Sequence, residues 1–256
     1  VIVKTEAIVL KTMKYGDTSK IVTLYSREYG RIAVIAKGAR GAAQKFGSSL
    51  DSLNHVQVVM YRKEGRELHL LSQCDTIERF PRLSTDLACL GPALGVLELI
   101  AAIAHHEEGS ASVFAAVSET LAAMNRPDAD PDVLLLHFEM RLLDLLGFRP
   151  DFSSCPVCRT NVNDVRDGTN PGYFRLYPDG FRCSRCDSEG RGHTSVVHEV
   201  VSALQWLQET DVTQVFQGRG VRPAIRDNVR QAVWYYMTAH FEGLRKLNAA
   251  TVFAPV

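Results

Sequence analysis

The sequence predicts an α+β protein: a small N-terminal β-barrel of five strands, followed by an α-helical domain into which a four-cysteine module is inserted. Three observations predict it. Short β-rich runs separated by turn signals fill the first eighty residues. Apolar residues at helical spacing dominate after that. Two Cys-x-x-Cys pairs interrupt the helical pattern. At 256 residues the chain is long enough for two domains, placed at 1–80 and 81–256, with the cysteine module at 148–193.

The strands come first. Thr5–Met13, Lys20–Ser26, Arg31–Lys37, Val56–Arg62 and Leu68–Gln73 are rich in Val, Ile, Leu, Thr and Tyr. Tyr15-Gly16-Asp17, Tyr29-Gly30-Arg31 and Glu64-Gly65-Arg66 punctuate them as turns. Five short strands in about seventy residues are too few for a large sandwich and fit a small barrel. The five-stranded oligonucleotide-binding (OB) type is the leading candidate. An SH3-like barrel has a similar strand count, and the pattern alone does not separate the two.

The texture changes at Phe80-Pro81. From Ser84 to His106, Leu87, Leu90, Leu94, Leu97 and Ile100 recur at helical spacing, with a break or kink expected at Gly91-Pro92. Ser110–Met124 reads as a second helix, N-capped by Ser110 or Ser112. Pro131–Leu146 reads as a third, opened by Pro131 and ended by Gly147. Its wide apolar face (Leu134, Leu135, Phe138, Leu142, Leu145) places it at the centre of the bundle. Ser195–Gln208 and Pro223–Leu247 read as two further helices. No repeat or low-complexity tract is visible, and the tail from Ala249 to Val256 lacks periodicity.

A net charge of zero hides an asymmetry. Residues 1–50 hold nine basic side chains against three acids, an excess of six positive charges. Residues 82–147 hold three basic side chains against ten acids. The basic stretch predicts a polyanion partner for the N-terminal part, and mutual attraction of the two regions is the plainer reading. No run approaches the ~18 apolar residues of a membrane span. Val1-Ile2-Val3-Lys4-Thr5 lacks the basic-then-apolar pattern of a signal peptide, so the cytoplasm is the expected compartment.

The cysteines carry the sharpest signal. Cys155-Pro156-Val157-Cys158 is followed, after residues 159–182, by Cys183-Ser184-Arg185-Cys186. Each tight turn can aim two thiolates at one ion, and two turns complete a tetrahedral site. One structural zinc ion is the expected occupant, because four thiolates leave no open position for water. Two disulfides fit a reducing cytosol poorly, and a redox Cys-x-x-Cys lacks its usual βαβ setting. The spacing alone leaves an iron–sulfur cluster or another metal open. Cys74 and Cys89 stand apart and read as small buried apolar residues.

No catalytic constellation emerges, so the chain reads as a non-enzyme. There is no GxxxxGK[ST] loop, no GxGxxG and no HExxH. His105-His106 beside Glu107-Glu108 reads as a polar helix end, and His137 as a core histidine. The basic strip is more informative. Lys11, Lys14 and Lys20 flank the first turn, and Arg31, Lys37, Arg40 and Lys45 flank or follow the third strand. These seven are the candidate DNA phosphate contacts. Gly38 and Gly41 would let backbone approach a ligand, and Tyr15, Tyr25, Tyr29 and Phe46 could stack on bases if exposed.

Several segments resemble the DNA repair protein RecO family of recombination mediators. They are Ala7-Ile8-Val9-Leu10, Tyr15-Gly16-Asp17, Ile21-Val22-Thr23-Leu24, Tyr29-Gly30-Arg31-Ile32 and Ala36-Lys37-Gly38-Ala39-Arg40. Phe138–Leu146 running into Gly147-Phe148-Arg149-Pro150, and both cysteine pairs, complete the resemblance in order along the chain. It implies an OB fold, a helical domain and a zinc module. It also implies binding of single- and double-stranded DNA, strand annealing, partnership with RecR, and help in loading RecA onto strands coated by single-strand-binding protein. A nucleoid-associated cytoplasmic location follows. Two departures stand out. Gly41-Ala42-Ala43-Gln44-Lys45 is nearly bare where family members carry denser basic runs, and Ser19 replaces a common acid. The resemblance also suggests that an apolar groove of the helical domain receives the acidic C-terminal tail of single-strand-binding protein, with Arg141 or Arg230 taking its carboxylate. The competing readings are a zinc-ribbon protein–protein adaptor without DNA contact, and an enzyme with an unrecognised site.

Overall fold

The computed structural model describes residues 1–41, 45–63, 65–104, 108–165, 173–187, 195–216 and 219–246. The His105-His106 pair and the 249–256 tail lie outside the described residues. Five strands, β1 (Ile2–Tyr15), β2 (Ser19–Ser26), β3 (Gly30–Ala36), β4 (His55–Tyr61) and β5 (Leu68–Glu78), close a barrel in the order β1-β2-β3-β5-β4. β1, β2 and β3 form an antiparallel meander. β3 pairs with β5 in parallel, and β4 closes the barrel antiparallel to both β5 and β1. This order is that of the OB-type barrel.

Period-2 alternation builds the interior. Val22, Leu24, Ile32, Val34, Ala36, Val56, Val58, Met60 and Leu71 point inward and are buried. Cys74 belongs to the same core, and burial pushes its thiol up to about 12. A register shift between Val9 and Lys11 marks a bulge in β1. There the backbone exchanges hydrogen bonds with the segment before β4: Val9 N donates to Asn54 O (3.0 Å) and Leu53 N to Val9 O (3.0 Å).

Three helices follow: α1 (Pro81–Thr85), α2 (Leu87–Ile103) and α3 (Ala111–Met124). Gly91-Pro92 does not break the helix, which is interrupted earlier, at Asp86. The Asp86 carboxylate accepts from Ala88 N (3.0 Å) and restarts the chain as α2. α2 runs through Pro92 because Pro92, Ala93, Val96, Leu97 and Ile100 are buried together, and that packing outweighs one lost donor. Ser110 caps α3, as predicted, accepting from Val113 N (3.3 Å). The barrel and α1–α3 form one compact unit, Val1–Pro127, and Asp128–Val256 forms a second.

In the second unit, α4 (Pro131–Leu145) is buried from Val133 through Met140 on all sides and is central. Around it lie α5 (His198–Glu209), α6 (Val212–Val215) and α7 (Arg226–His240). The helix expected over Ser195–Gln208 begins only at His198. Ser195–Val197 is instead strand β8, which pairs with β6 (Tyr173–Tyr177), itself paired with β7 (Gly180–Cys183). Val196 is buried there, so two β-branched residues complete a sheet before the helix starts. The segment expected as one helix over Pro223–Leu247 is a 3₁₀ turn, then α7, then a second 3₁₀ segment at Glu242–Lys246. No described helix is long and apolar enough to cross a membrane.

Candidate metal centre and nucleic-acid interface

The two cysteine pairs converge. All four sulfurs lie within 4.8 Å of one another, and Cys158 Sγ is 3.7 Å from Cys183 Sγ. A tetrahedron with metal–sulfur bonds of about 2.3 Å has edges of about 3.8 Å, so the donor set fits a four-coordinate ion. Each pair sits on a tight turn. Arg159 N donates to Cys155 O (2.8 Å), with Arg159 at φ +58°, and Cys186 N donates to Cys183 O (2.9 Å). Cys155 and Cys183 are buried, whereas Cys158 is exposed.

The electrostatics suit a cation. Thr160 Oγ1 stands 3.2 Å from Cys158 Sγ, and hydrogen bonds from the Thr160 hydroxyl and backbone lower the Cys158 thiol to about 6. Burial, reinforced by sharing a proton with the other sulfurs, pushes Cys186 up to about 12. Without a cation, four adjacent sulfurs cannot all ionise. A divalent ion removes that conflict.

The hairpin is anchored to the second unit's core. Tyr236, on α7, donates from its buried hydroxyl to Gly180 O (2.5 Å). Phe152 packs edge-on against Tyr236, and Phe174 against Phe181. On the hairpin's other face Tyr177 Oη donates to the Asp187 carboxylate (2.5 Å), whose side chain is almost fully covered, and Arg175 Nε lies 3.3 Å from it.

On the barrel, four of the seven candidate DNA contacts gather at one rim. Lys14 and Lys20 face each other across β1 and β2. Lys20 also pairs with Ala36, the last residue of β3, so Lys37 follows at the same rim. Arg40 N donates to Thr18 O (2.9 Å) and its Nη1 to Gly16 O (3.1 Å), which ties the segment after β3 onto the β1–β2 turn. Gly16 and Gly38 both take positive φ there. Lys11 is exposed further down β1, opposite Thr23, and Lys45 lies over the Phe46 ring at 5.1 Å.

Arg31 is placed elsewhere. It sits at the far end of β3, opposite Tyr25, and donates to the Ala101 carbonyl of α2. That end of the barrel is covered: Tyr25 and His55 both pack on Phe114 of α3. The opposite outer surface is open. Met13, Ile21, Ile35 and Leu70 are successive register partners across β1, β2, β3 and β5, and Tyr61 continues the row on β4. Met13 and Tyr61 are about half exposed. Of the aromatic residues considered for stacking, Tyr15 is exposed, while Tyr25 and Phe46 are buried.

Sequence reasoning passed over Lys63 and Arg66, exposed in the β4–β5 connection, a loop that OB folds use for ligands. The neighbouring Glu64 and Glu67 cancel their charge in any window count, so only closure of the barrel makes them visible.

Of the apolar positions expected to form a groove, in Phe138–Leu146 and Trp234–Phe241, Phe138, Met140, Leu142, Leu143, Tyr236 and Met237 are buried in the core. The exposed remainder is Leu145, Leu146 and Phe148, with Phe148 stacked on His240 at 4.6 Å. Nearby, a cavity of about 270 Å³ is lined by His137, Met140, Arg141, Asp144, Leu207 and Asp211 among others. Arg230 is held by Asp227 (3.0 Å) and Asp132 (3.4 Å).

Comparison with known proteins agrees along the chain. Residues 1–80 match the family described as "Recombination protein O N terminal", and residues 84–248 match "Recombination protein O C terminal". The chain is 28% identical over 254 residues to the DNA repair protein RecO of Chloroherpeton thalassium, spanning 98% of this chain and 97% of that one. It is 30% identical over 226 residues to the DNA repair protein RecO of Chlorobium luteolum, spanning 85% and 83%. A third relative, the DNA repair protein RecO of Symbiobacterium thermophilum, is 28% identical over 214 residues, spanning 84% and 83%.

Proposed function

The chain belongs to the RecO family of DNA repair and recombination proteins, and from that premise we propose that it is a non-enzymatic recombination mediator of the nucleoid. It binds single- and double-stranded DNA through the barrel rim and anneals complementary strands. With RecR, it helps load RecA onto strands coated by single-strand-binding protein. The observation that carries the DNA contact is the Lys14–Lys20 pair. Like charges directly opposite across two strands are destabilising by themselves. With Lys37 and Arg40 drawn onto the same turn, the rim makes physical sense as a seat for phosphate. Arg31 has a smaller part, because α2 already takes its guanidinium.

A test follows from that cost. Lys14→Ala/Lys20→Ala should leave thermal stability unchanged or slightly raised, while DNA affinity falls about tenfold or more at low salt. Equal affinity in the variant would remove the rim from the site.

The metal is proposed as one structural zinc ion held by Cys155, Cys158, Cys183 and Cys186. Elemental analysis should find one zinc per chain. For the acidic tail of single-strand-binding protein, the exposed Leu145, Leu146 and Phe148 offer apolar contact, with Arg141 one helical turn before Leu145. Arg230 is less suited, since two carboxylates hold it. Calorimetry with the tail peptide should show binding that Arg141→Ala weakens. A second reading, an adaptor without DNA contact, is favoured by one feature. The open row Met13–Ile21–Ile35–Leu70 is aliphatic and suits a protein partner better than stacked bases.

A further inference from the structure

The hairpin of the cysteine module has two unlike faces. Phe174, Leu176 and Phe181 are buried on one. Alternation sends Tyr173, Arg175 and Tyr177 to the other, with Arg182 in register opposite Arg175. Arg182 stacks on Tyr177, its guanidinium carbon 3.6 Å from the ring centroid. Phe174 pairs with Cys183, so Tyr173 lies beside the second cysteine turn, and Tyr173 is about half exposed.

The same end carries two cations. Arg159 and Arg185 are both exposed, one on each cysteine turn. Arg185 Nη2 donates to Thr160 Oγ1 (3.2 Å), which brings it across to the residue next to Arg159. Six described arginines of this unit are committed to carboxylates: Arg149 to Asp144, Arg175 to Asp187, Arg182 to Asp179, Arg222 to Glu199, Arg226 to Asp130 and Arg230 to Asp227 and Asp132. Among the described residues, Arg159 and Arg185 pair with no carboxylate.

We infer that this end of the cysteine module is a second contact for single-stranded nucleic acid, with Tyr173 stacking on a base and Arg159 and Arg185 meeting the flanking phosphates. An exposed ring at the same end as guanidinium groups that no described carboxylate neutralises suits an unstacked base and its backbone, because every base offers a π-face. A duplex hides those faces, so a single strand is the better fit. The ligand class is that of the proposed function, but the residues are independent of the barrel. A mediator that anneals strands gains a second place to hold one.

The full-length protein decides the matter with a short oligothymidine carrying one 2-aminopurine, titrated at several salt concentrations. Stacking on Tyr173 should quench the 2-aminopurine, and Tyr173→Ala should abolish that quenching and weaken binding at least about fivefold. Arg159→Ala/Arg185→Ala should lower the log–log salt slope by about 1.4. One metal ion per chain should be retained in both variants. If only Lys37→Ala/Arg40→Ala on the barrel weakens binding, this second contact is wrong and the proposed function stands. If the unaltered protein binds no DNA, both fall. Should the arginine variant lose its metal, the two cations serve to neutralise the thiolates. The quenching by the unaltered protein then decides alone: its presence keeps Tyr173 as a contact, and its absence overturns the site.

Discussion

Glu139 is a carboxyl in the middle of the most buried helix of the molecule. Burial pushes it up to about 8, and the nearby Arg230 offsets only part of that. Its folded value lies above its unfolded one, so its contribution is fully present below about pH 4.5 and is lost as pH rises toward about 8. Glu139→Gln should therefore stabilise the protein by about 1–3 kcal/mol at pH 8 and by much less at pH 5. Denaturant midpoints at the two pH values measure this, and equal shifts at both would contradict it. Glu139 was not legible in the sequence, because helical spacing shows which face of α4 is apolar but not that every face is covered. The four cysteines were legible, because ligand spacing within a tight turn is a local property of the chain. Arg31 lies between these cases: alternation fixes which way it points, but only the folded α2 shows what it meets there.

At the scale of elements, the β6–β7 hairpin depends on one backbone position. Gly180 has φ +143°, and a Cβ there would overlap the Asp151 carbonyl oxygen. Gly180→Ala should cost about 1–3 kcal/mol and loosen the hairpin from Tyr236. The cysteine turns lie at the other end, where an ion held by the four sulfurs would fix it. Both tryptophans, Trp206 and Trp234, lie in the second unit, so their emission reports on it alone. Chelation, or Cys155→Ala, should lower the midpoint followed by tryptophan emission by an amount worth on the order of several kcal/mol. An unchanged midpoint would mean that the module carries no structural ion. The strands of the barrel and helices α3 and α4 could be read from periodicity and caps. β8 and the restart at Asp86 could not, since three residues are too few for a period and a cap competes with the apolar pattern running through it.

At the scale of the whole molecule, the five strands and the small barrel they form were legible, but the order in which the strands pair was not. The parallel pairing of β3 with β5 is non-local, and it alone separates this barrel from others of equal strand count. Closure also gathers scattered basic residues at one rim. The +6 excess of residues 1–50 is a statement about composition, whereas Lys14, Lys20, Lys37 and Arg40 around the β1–β2 turn are a statement about place. Phosphates carry no sequence information, so binding at such a rim should show little sequence preference.

Titration of labelled single-stranded DNA with the full-length protein at about 50 and about 200 mM salt tests this most directly. Four phosphate contacts should make the affinity fall by about a hundredfold between those concentrations. Lys37→Ala/Arg40→Ala should weaken binding and flatten the log–log slope by about 1.4, with the metal content unchanged. Binding that is absent, or indifferent to salt, would contradict the DNA-binding rim and leave the adaptor reading in its place.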